Sequence, residues 1–261
     1  MKKLKRKWIL MALPFFAGFL LFYVIPFGHS FYYSLIESAF VHTFVGFSNY
    51  ARVAANPYYR LALGNTARLI VLAVPALVLL ALLLSLVMFY ANGRFRFMRA
   101  ALLLPLLLPS AAIVPGFEKL SAINIQLPVY AVYVWKNTGF LMVLLVAALV
   151  MIPREVFEAA EMDGARGVKK FFSITLPLLM PALFFCTGLA VVYNLRVFRE
   201  AFLLYGAYPD TSLYLMQHYM NNHFVKLNYQ NLSAGAMMFS ALVFLFVFGM
   251  YRLDKRMDIG I

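Results

Sequence analysis

The chain has 261 residues, of which 64% are hydrophobic and 13% charged, whereas soluble domains carry about 25% charged residues. That balance excludes an ordinary water-soluble globule. The formal net charge of +13 would suit nucleic acid or an acidic partner, but the charges sit at the ends of apolar runs. They point to a membrane surface and to no nucleic acid.

Six apolar stretches recur in chain order, at about 8–31, 62–90, 97–117, 128–152, 176–197 and 232–251. Each is long enough to cross roughly 30 Å of hydrocarbon as a helix. The expected fold is therefore all-α, one polytopic membrane domain of about six spans over residues 1–261. The opening Met1-Lys-Lys-Leu-Lys-Arg-Lys7 with its apolar run is too long for a secretory leader and lacks a small-residue cleavage site, so an uncleaved first helix is expected. The lone cysteine, Cys186, falls within a span and has no intrachain partner.

Positively charged flanks are retained on the cytoplasmic side. With the N-terminus inside, fifteen of the 23 Lys and Arg fall on inside segments, Arg94 among them, four on outside loops and four within or beside spans. Both termini are expected in the cytoplasm of a prokaryotic cell, in a multi-pass protein bathed in membrane lipid. Two outside segments, about 34–61 and 200–231, are rich in Tyr, Phe, Asn and His. The acids Glu37, Glu118, Glu200 and Asp210 fall in or beside outside loops; Glu155, Glu158, Glu161, Asp163, Asp254 and Asp258 fall inside. None is expected near a midplane, which disfavours an ion-driven carrier built on a carboxylate relay.

Charge inside a span costs several kcal/mol unless it reaches water or a partner, which singles out Arg68, Lys136, Arg196 and Arg199, all toward the outer half. Lys136 lies roughly 12 Å into its span. Trp135 and Asn137 beside it, with Tyr193, Asn194 and Arg196 in the fifth span, supply aromatic faces and polar groups suited to a hydroxylated ligand. The same residues would also suit helix packing across a subunit interface.

The inside segment 153–176 predicts two short helices with a break. Pro153 suits a first helical position, Glu155 and Glu158 suit the positive end of the helix dipole, and Gly164 suits a stop. Ala160 and Gly164, four apart, predict a flat face that another surface can approach closely. From periodicity alone the segment is an amphipathic connector on the membrane surface.

Glu158-Ala159-Ala160, then Asp163-Gly164-Ala165, then Ile174, Leu176-Pro177 and Pro181 resemble the EAA loop of ABC importer permeases, over nearly thirty contiguous residues. Ile152-Pro153 and the Asp163-Gly164-Ala165 form are similar to the carbohydrate branch, the relatives of the maltose permease. Asn65-Thr66, Phe97-Met-Arg99, Leu104-Pro105, Leu108-Pro109-Ser110 and Trp135-Lys-Asn-Thr-Gly-Phe140 extend the resemblance over most of the chain. The resemblance implies a type I ABC importer permease fold and a loop, 153–176, that docks into a cytoplasmic ATPase. It implies a second homologous permease, two ATPase subunits that hold ATP and magnesium, an extracytoplasmic solute-binding protein, and a sugar moved by alternating access. Two departures lie on the receptor side: the outside segment between spans three and four is short, and Gly206-Ala-Tyr-Pro209 replaces the family's Gly-Gly-Pro.

No phosphate-binding Gly-x-x-x-x-Gly-Lys-Ser/Thr loop occurs, so ATP hydrolysis is expected elsewhere and the chain itself is expected to be no enzyme. The histidines His29, His42, His218 and His223 lack metal spacing, and neither a metal nor a cofactor is expected on this chain. Two alternatives stay open: a permease for another small polar solute, and a stand-alone carrier or channel.

Overall fold

The computed structural model describes residues 2–38, 41–91 and 96–257, with only the backbone described for residues 2–10, 96 and 253–257. Met1, Arg94 and Asp258 lie outside the described residues. Five helices are long and apolar enough to cross a membrane, or six if one bent pair counts as a span.

Helix α1 (Lys2–Phe19) passes through a widened π-helical turn, Leu20–Val24, into α2 (Ile25–Ser34). The widening sits directly before Pro26, which has no N–H for the carbonyl four residues back and whose ring would clash with it. Helix α3 (Ser48–Ala55) and α4 (Pro57–Tyr90) meet at Asn56, whose side-chain oxygen accepts from Tyr58 N at 2.8 Å. An Asn cap followed by proline in the first turn is a strong start signal, so α4 begins five residues before the apolar run itself.

Helix α5 (Arg96–Leu107) and the short α6 (Ser110–Ile113), which continues as a 3-10 helix over Val114–Ala122, are not one straight span. The second arm is bent by 106° from the first. Leu108 precedes Pro109, a step biased against helix, and Pro109 is extended at φ −64°, ψ 138°. Helix α7 (Leu127–Met151) stops at Ile152, held extended by Pro153. Helix α8 (Arg154–Met162) follows, then α9 (Gly167–Lys170), which runs through a second π-helical turn, Phe171–Thr175, into α10 (Leu176–Asn194). This widening precedes Pro177 just as the first precedes Pro26. The second helix of the inside segment is therefore not short but the inner end of the fifth span. Helices α11 (Phe198–Tyr205), α12 (Met216–Val225) and α13 (Tyr229–Met257) complete the chain.

The chain divides into two compact units, one of residues 1–60 and 219–245, the other of residues 61–218 and 246–261. In the first, Asn49 is fully buried and its amide donates to Ser34 O at 3.0 Å and Ile36 O at 2.7 Å, closing the turn after α2. Tyr59 and Tyr219 meet edge to face at 5.3 Å. A side chain at Gly235 would press on both rings at 3.3–3.4 Å. None of the most apolar window of Met11–Ser34 is buried.

The second unit is built around α7. Leu141, Met142, Leu145 and Leu149 are fully buried, as expected of a helix apolar on all sides. A Cβ at Gly139 would overlap Leu102 O, so the backbones of α5 and α7 touch where only glycine fits. Helix α4 is tied to the segment before α12: Asn65 donates to Thr211 O at 2.6 Å, and Thr66 Oγ1 accepts from Met216 N at 3.0 Å.

Candidate functional site

Residues 133, 136 and 137 occupy one face of α7 because positions three and four apart align on a helix. The chain leaves helical geometry between α10 and α11, where Arg196 N donates to Tyr193 O at 3.0 Å and Val197 N to Asn194 O at 3.1 Å. Within the second unit these pieces enclose a cavity of about 590 Å³, lined by Tyr133, Lys136, Asn137, Tyr193, Arg196, Arg199, Glu200 and Gln217 with Leu106, Leu195, Val197 and Phe198. That volume suits a small-molecule ligand.

At its wall, Lys136 Nζ donates to Glu200 Oε1 at 2.9 Å and to Ser110 Oγ at 2.7 Å, while Ser110 Oγ donates to Glu200 Oε1 at 2.6 Å. Glu200 is 6% exposed. A buried carboxylate persists only when paired and hydrogen-bonded, and here two elements supply the partners of this α11 residue: α7 gives Lys136, and Ser110 follows the Pro109 bend. Glu200 thus lies buried near the start of α11 and belongs to the cavity wall. Asn137 spends its amide N–H on Tyr133 O at 2.7 Å, and Gln217 donates to Leu195 O at 2.7 Å. The amide oxygens of both have no partner among the described residues.

Of the six path candidates, Lys136, Asn137, Tyr193 and Arg196 line the cavity. Trp135 faces away, 42% exposed and against Phe117 at 5.5 Å. Asn194 is buried beside Tyr133. The Tyr133 hydroxyl already donates to Ala190 O at 2.7 Å, and both Asn194 amide atoms lack a partner. Sequence reasoning singled out Arg199 for its charge beside a span but did not place it or Glu200 among the path candidates, and it missed Ser110 and Gln217 as wall or lining residues. The available signal was stoichiometric, since one acid near an apolar run demands a nearby cation and Lys136 was otherwise unpaired.

The inside segment closes with a Schellman arrangement. Gly164 N donates to Glu161 O at 3.1 Å and Ala165 N to Ala160 O at 2.9 Å. Gly164 adopts φ +78°, a left-handed geometry that glycine takes without strain. Ala160 and Ala165 are buried, at 6% and 8% exposed, which is the apolar contact that accompanies this cap. Ala160 and Gly164 therefore do not form an outward face. The outward stripe is Glu155, Glu158, Ala159 and Met162, with Met162 84% exposed. Asp163 and Pro177 are also exposed, and Ile174 and Leu176 half-buried. Lys170 bonds Glu161 at 2.6 Å, which holds that carboxyl below its ordinary pKa. Its ammonium also sits 4.9 Å from the Phe157 ring.

His218 is fully buried, accepts from Leu215 N at 3.1 Å and meets the Phe198 ring at 4.8 Å. Burial pushes its pKa down to about 4, so it is neutral at physiological pH. Among the described residues no group of three or more His, Cys, Asp or Glu could hold a metal ion.

Apolar helices long enough to cross a membrane and, within the second unit, a polar, solute-sized cavity are what a membrane transport protein requires. Residues 66–259 match the family described as "Binding-protein-dependent transport system inner membrane component", and the chain belongs to it: an inner-membrane permease subunit, not an enzyme. It is 34% identical over 194 residues to the arabinooligosaccharides transport system permease protein AraP of Halalkalibacterium halodurans, a match over 63% of this chain and 60% of that one. It is 30% identical over 230 residues to the trehalose/maltose transport system permease protein MalF of Thermococcus litoralis, over 77% of each. A crystal structure of a bacterial ABC transporter involved in import of the acidic polysaccharide alginate shares the fold, with a TM-score of 0.79, 22% identity and 98% of both chains covered.

Proposed function

We propose that this chain is one of two pore-forming subunits of an ATP-driven importer and carries a sugar or oligosaccharide by alternating access. The observation that carries the proposal is the cavity of tyrosine, amide and paired-charge groups between α7, α10 and α11. Saccharides need acceptors and donors for hydroxyls together with an aromatic face, and Tyr133, Tyr193, Asn137 and Gln217 offer both. Relatives named for arabinooligosaccharides and for trehalose/maltose support the sugar class.

The partners are a second homologous permease, two cytoplasmic ATPase subunits that bind ATP and magnesium, and an extracytoplasmic solute-binding protein. The chain is a single permease domain with both termini cytoplasmic. Helix α8 couples it to the ATPase through Glu158, Ala159 and Asp163, while Ala160, Gly164 and Ala165 shape its end. Ile174, Leu176 and Pro177 carry the motion into α10. ATP binding shifts the population between two states because the partner binds them unequally. A stand-alone ion-driven carrier would need a carboxylate free to change protonation, and Glu200 is held by Lys136 and Ser110.

The test is the paired substitution Glu158→Lys and Met162→Asp on the outward stripe of α8, which spares the buried cap. The chain should stay in the membrane, while ATPase subunits cease to co-purify and uptake falls about tenfold or more, the scale of a misplaced interaction. Normal co-purification with normal uptake would sink the coupling assignment.

A further inference from the structure

The charges around the cavity do not balance. Three cations, Lys136, Arg196 and Arg199, and one anion, Glu200, line it. Glu200 is engaged through Oε1, which takes Lys136 at 2.9 Å and Ser110 at 2.6 Å. Two guanidinium groups are left without a carboxylate among the described residues, on a turn and a helix start three residues apart. A neutral solute gives no reason for this arrangement, because Asn137, Gln217 and Tyr193 already meet hydroxyl groups. Two like charges bordering one concave site repel each other, and the repulsion is relieved when an anion enters between them. Arginine is the side chain suited to that task, since its planar fork pairs two N–H groups with the two oxygens of a carboxylate or the oxygens of a sulfate or phosphate.

We propose that the substrate is an anionic saccharide, carrying a carboxylate or an equivalent oxyanion that docks on Arg196 and Arg199 while its hydroxyl groups meet Asn137, Gln217 and Tyr193. The inference rests on the saccharide-permease reading and narrows it. The Lys136–Glu200 pair is the fixed wall of this site: it keeps Lys136 from competing for the anion and leaves the two arginines as the binding charge.

The experiment compares cells carrying the intact importer with an otherwise identical strain lacking this chain. Both are fed a defined mixture of neutral, uronate-bearing and sulfated oligosaccharides, and depletion of each is followed by mass spectrometry. Wild-type cells should deplete acidic members in a manner that depends on this chain. In Arg196→Gln/Arg199→Gln cells that depletion should fall about tenfold or more relative to any neutral member, the scale on which a site built for a specific polar group discriminates. Arg196→Lys/Arg199→Lys should keep part of it, and immunoblots of membranes check that both variants are present at wild-type level. Depletion of neutral members alone overturns the anionic assignment and leaves the saccharide permease standing. An equal loss of neutral and acidic members in the Gln variant, or its absence from the membrane, assigns the arginines to the scaffold and also overturns it. No depletion dependent on this chain overturns the saccharide reading itself, and this inference with it.

Discussion

Lys136 and Glu200 show how a single residue's meaning depends on its partner. Lys136 alone, about two turns inside an apolar helix, suggests a group aimed at substrate. Paired with Glu200 at 2.9 Å, with the side chains 17% and 8% exposed, it first neutralises a buried carboxylate. Removing one member of a buried pair strands the other and costs about 3–5 kcal/mol, whereas replacing both with apolar residues is often neutral or better. Lys136→Ala should therefore lower the thermal unfolding midpoint of the full-length chain in detergent, and Lys136→Met/Glu200→Leu should recover most of the loss. Equal stability of the single and double variants would show that the pair does not hold α7 to α11. A transport defect in Lys136→Ala alone would mix stability with substrate contact, so the double variant is the informative one.

Among the elements, prolines and glycines decide more than hydrophobicity does. Two widened turns precede Pro26 and Pro177, the bend at Pro109 brings Ser110 to the ion pair, and Gly164 ends α8 in a left-handed geometry. Gly206 adopts φ +71°, ψ −161°, a region open almost solely to glycine, so the outside motif keeps its glycine although its neighbours depart from the family form. The tightest of these constraints is Gly139, where an added methyl would overlap the Leu102 carbonyl. Overpacking of this kind costs about 1–3 kcal/mol, so Gly139→Ala should lower the unfolding midpoint and shift α5 away from α7. Gly188→Ala is the control, since nothing lies within 4 Å of its added methyl and a helical Gly→Ala change stabilises by about 0.4–1 kcal/mol. If both variants unfold at the same temperature, the contact between α5 and α7 is not the constraint described.

For the whole molecule, orientation follows from where Lys and Arg accumulate, a kinetic bias of insertion and not a property of packing. The native cysteine is 1% exposed and gives no background to thiol labelling. In cells that express this chain without the ATPase subunits, so that α8 is uncovered, a membrane-impermeant maleimide should therefore label Tyr208→Cys when the cells are intact and Met162→Cys only after permeabilisation, these positions being 69% and 84% exposed. The reverse pattern would invert the proposed topology.

What the sequence determined by itself is the part written in local or periodic terms: the apolar runs, the gathering of Lys and Arg at their ends, and the loop motif at 158–181. Each depends on composition within one segment, or on a glycine or proline whose backbone effect needs no neighbour. What only the tertiary structure decided is which polar groups meet. Ser110, Lys136, Glu200 and Gln217 come from four segments up to 107 positions apart, and no pattern along the chain encodes their convergence. The same reason explains Ala160, which spacing alone sets on an open face and packing against Ala165 turns inward. Burial and pairing arise between elements, so a cavity with two arginines that meet no carboxylate among the described residues becomes visible only once α7, α10 and α11 are in place.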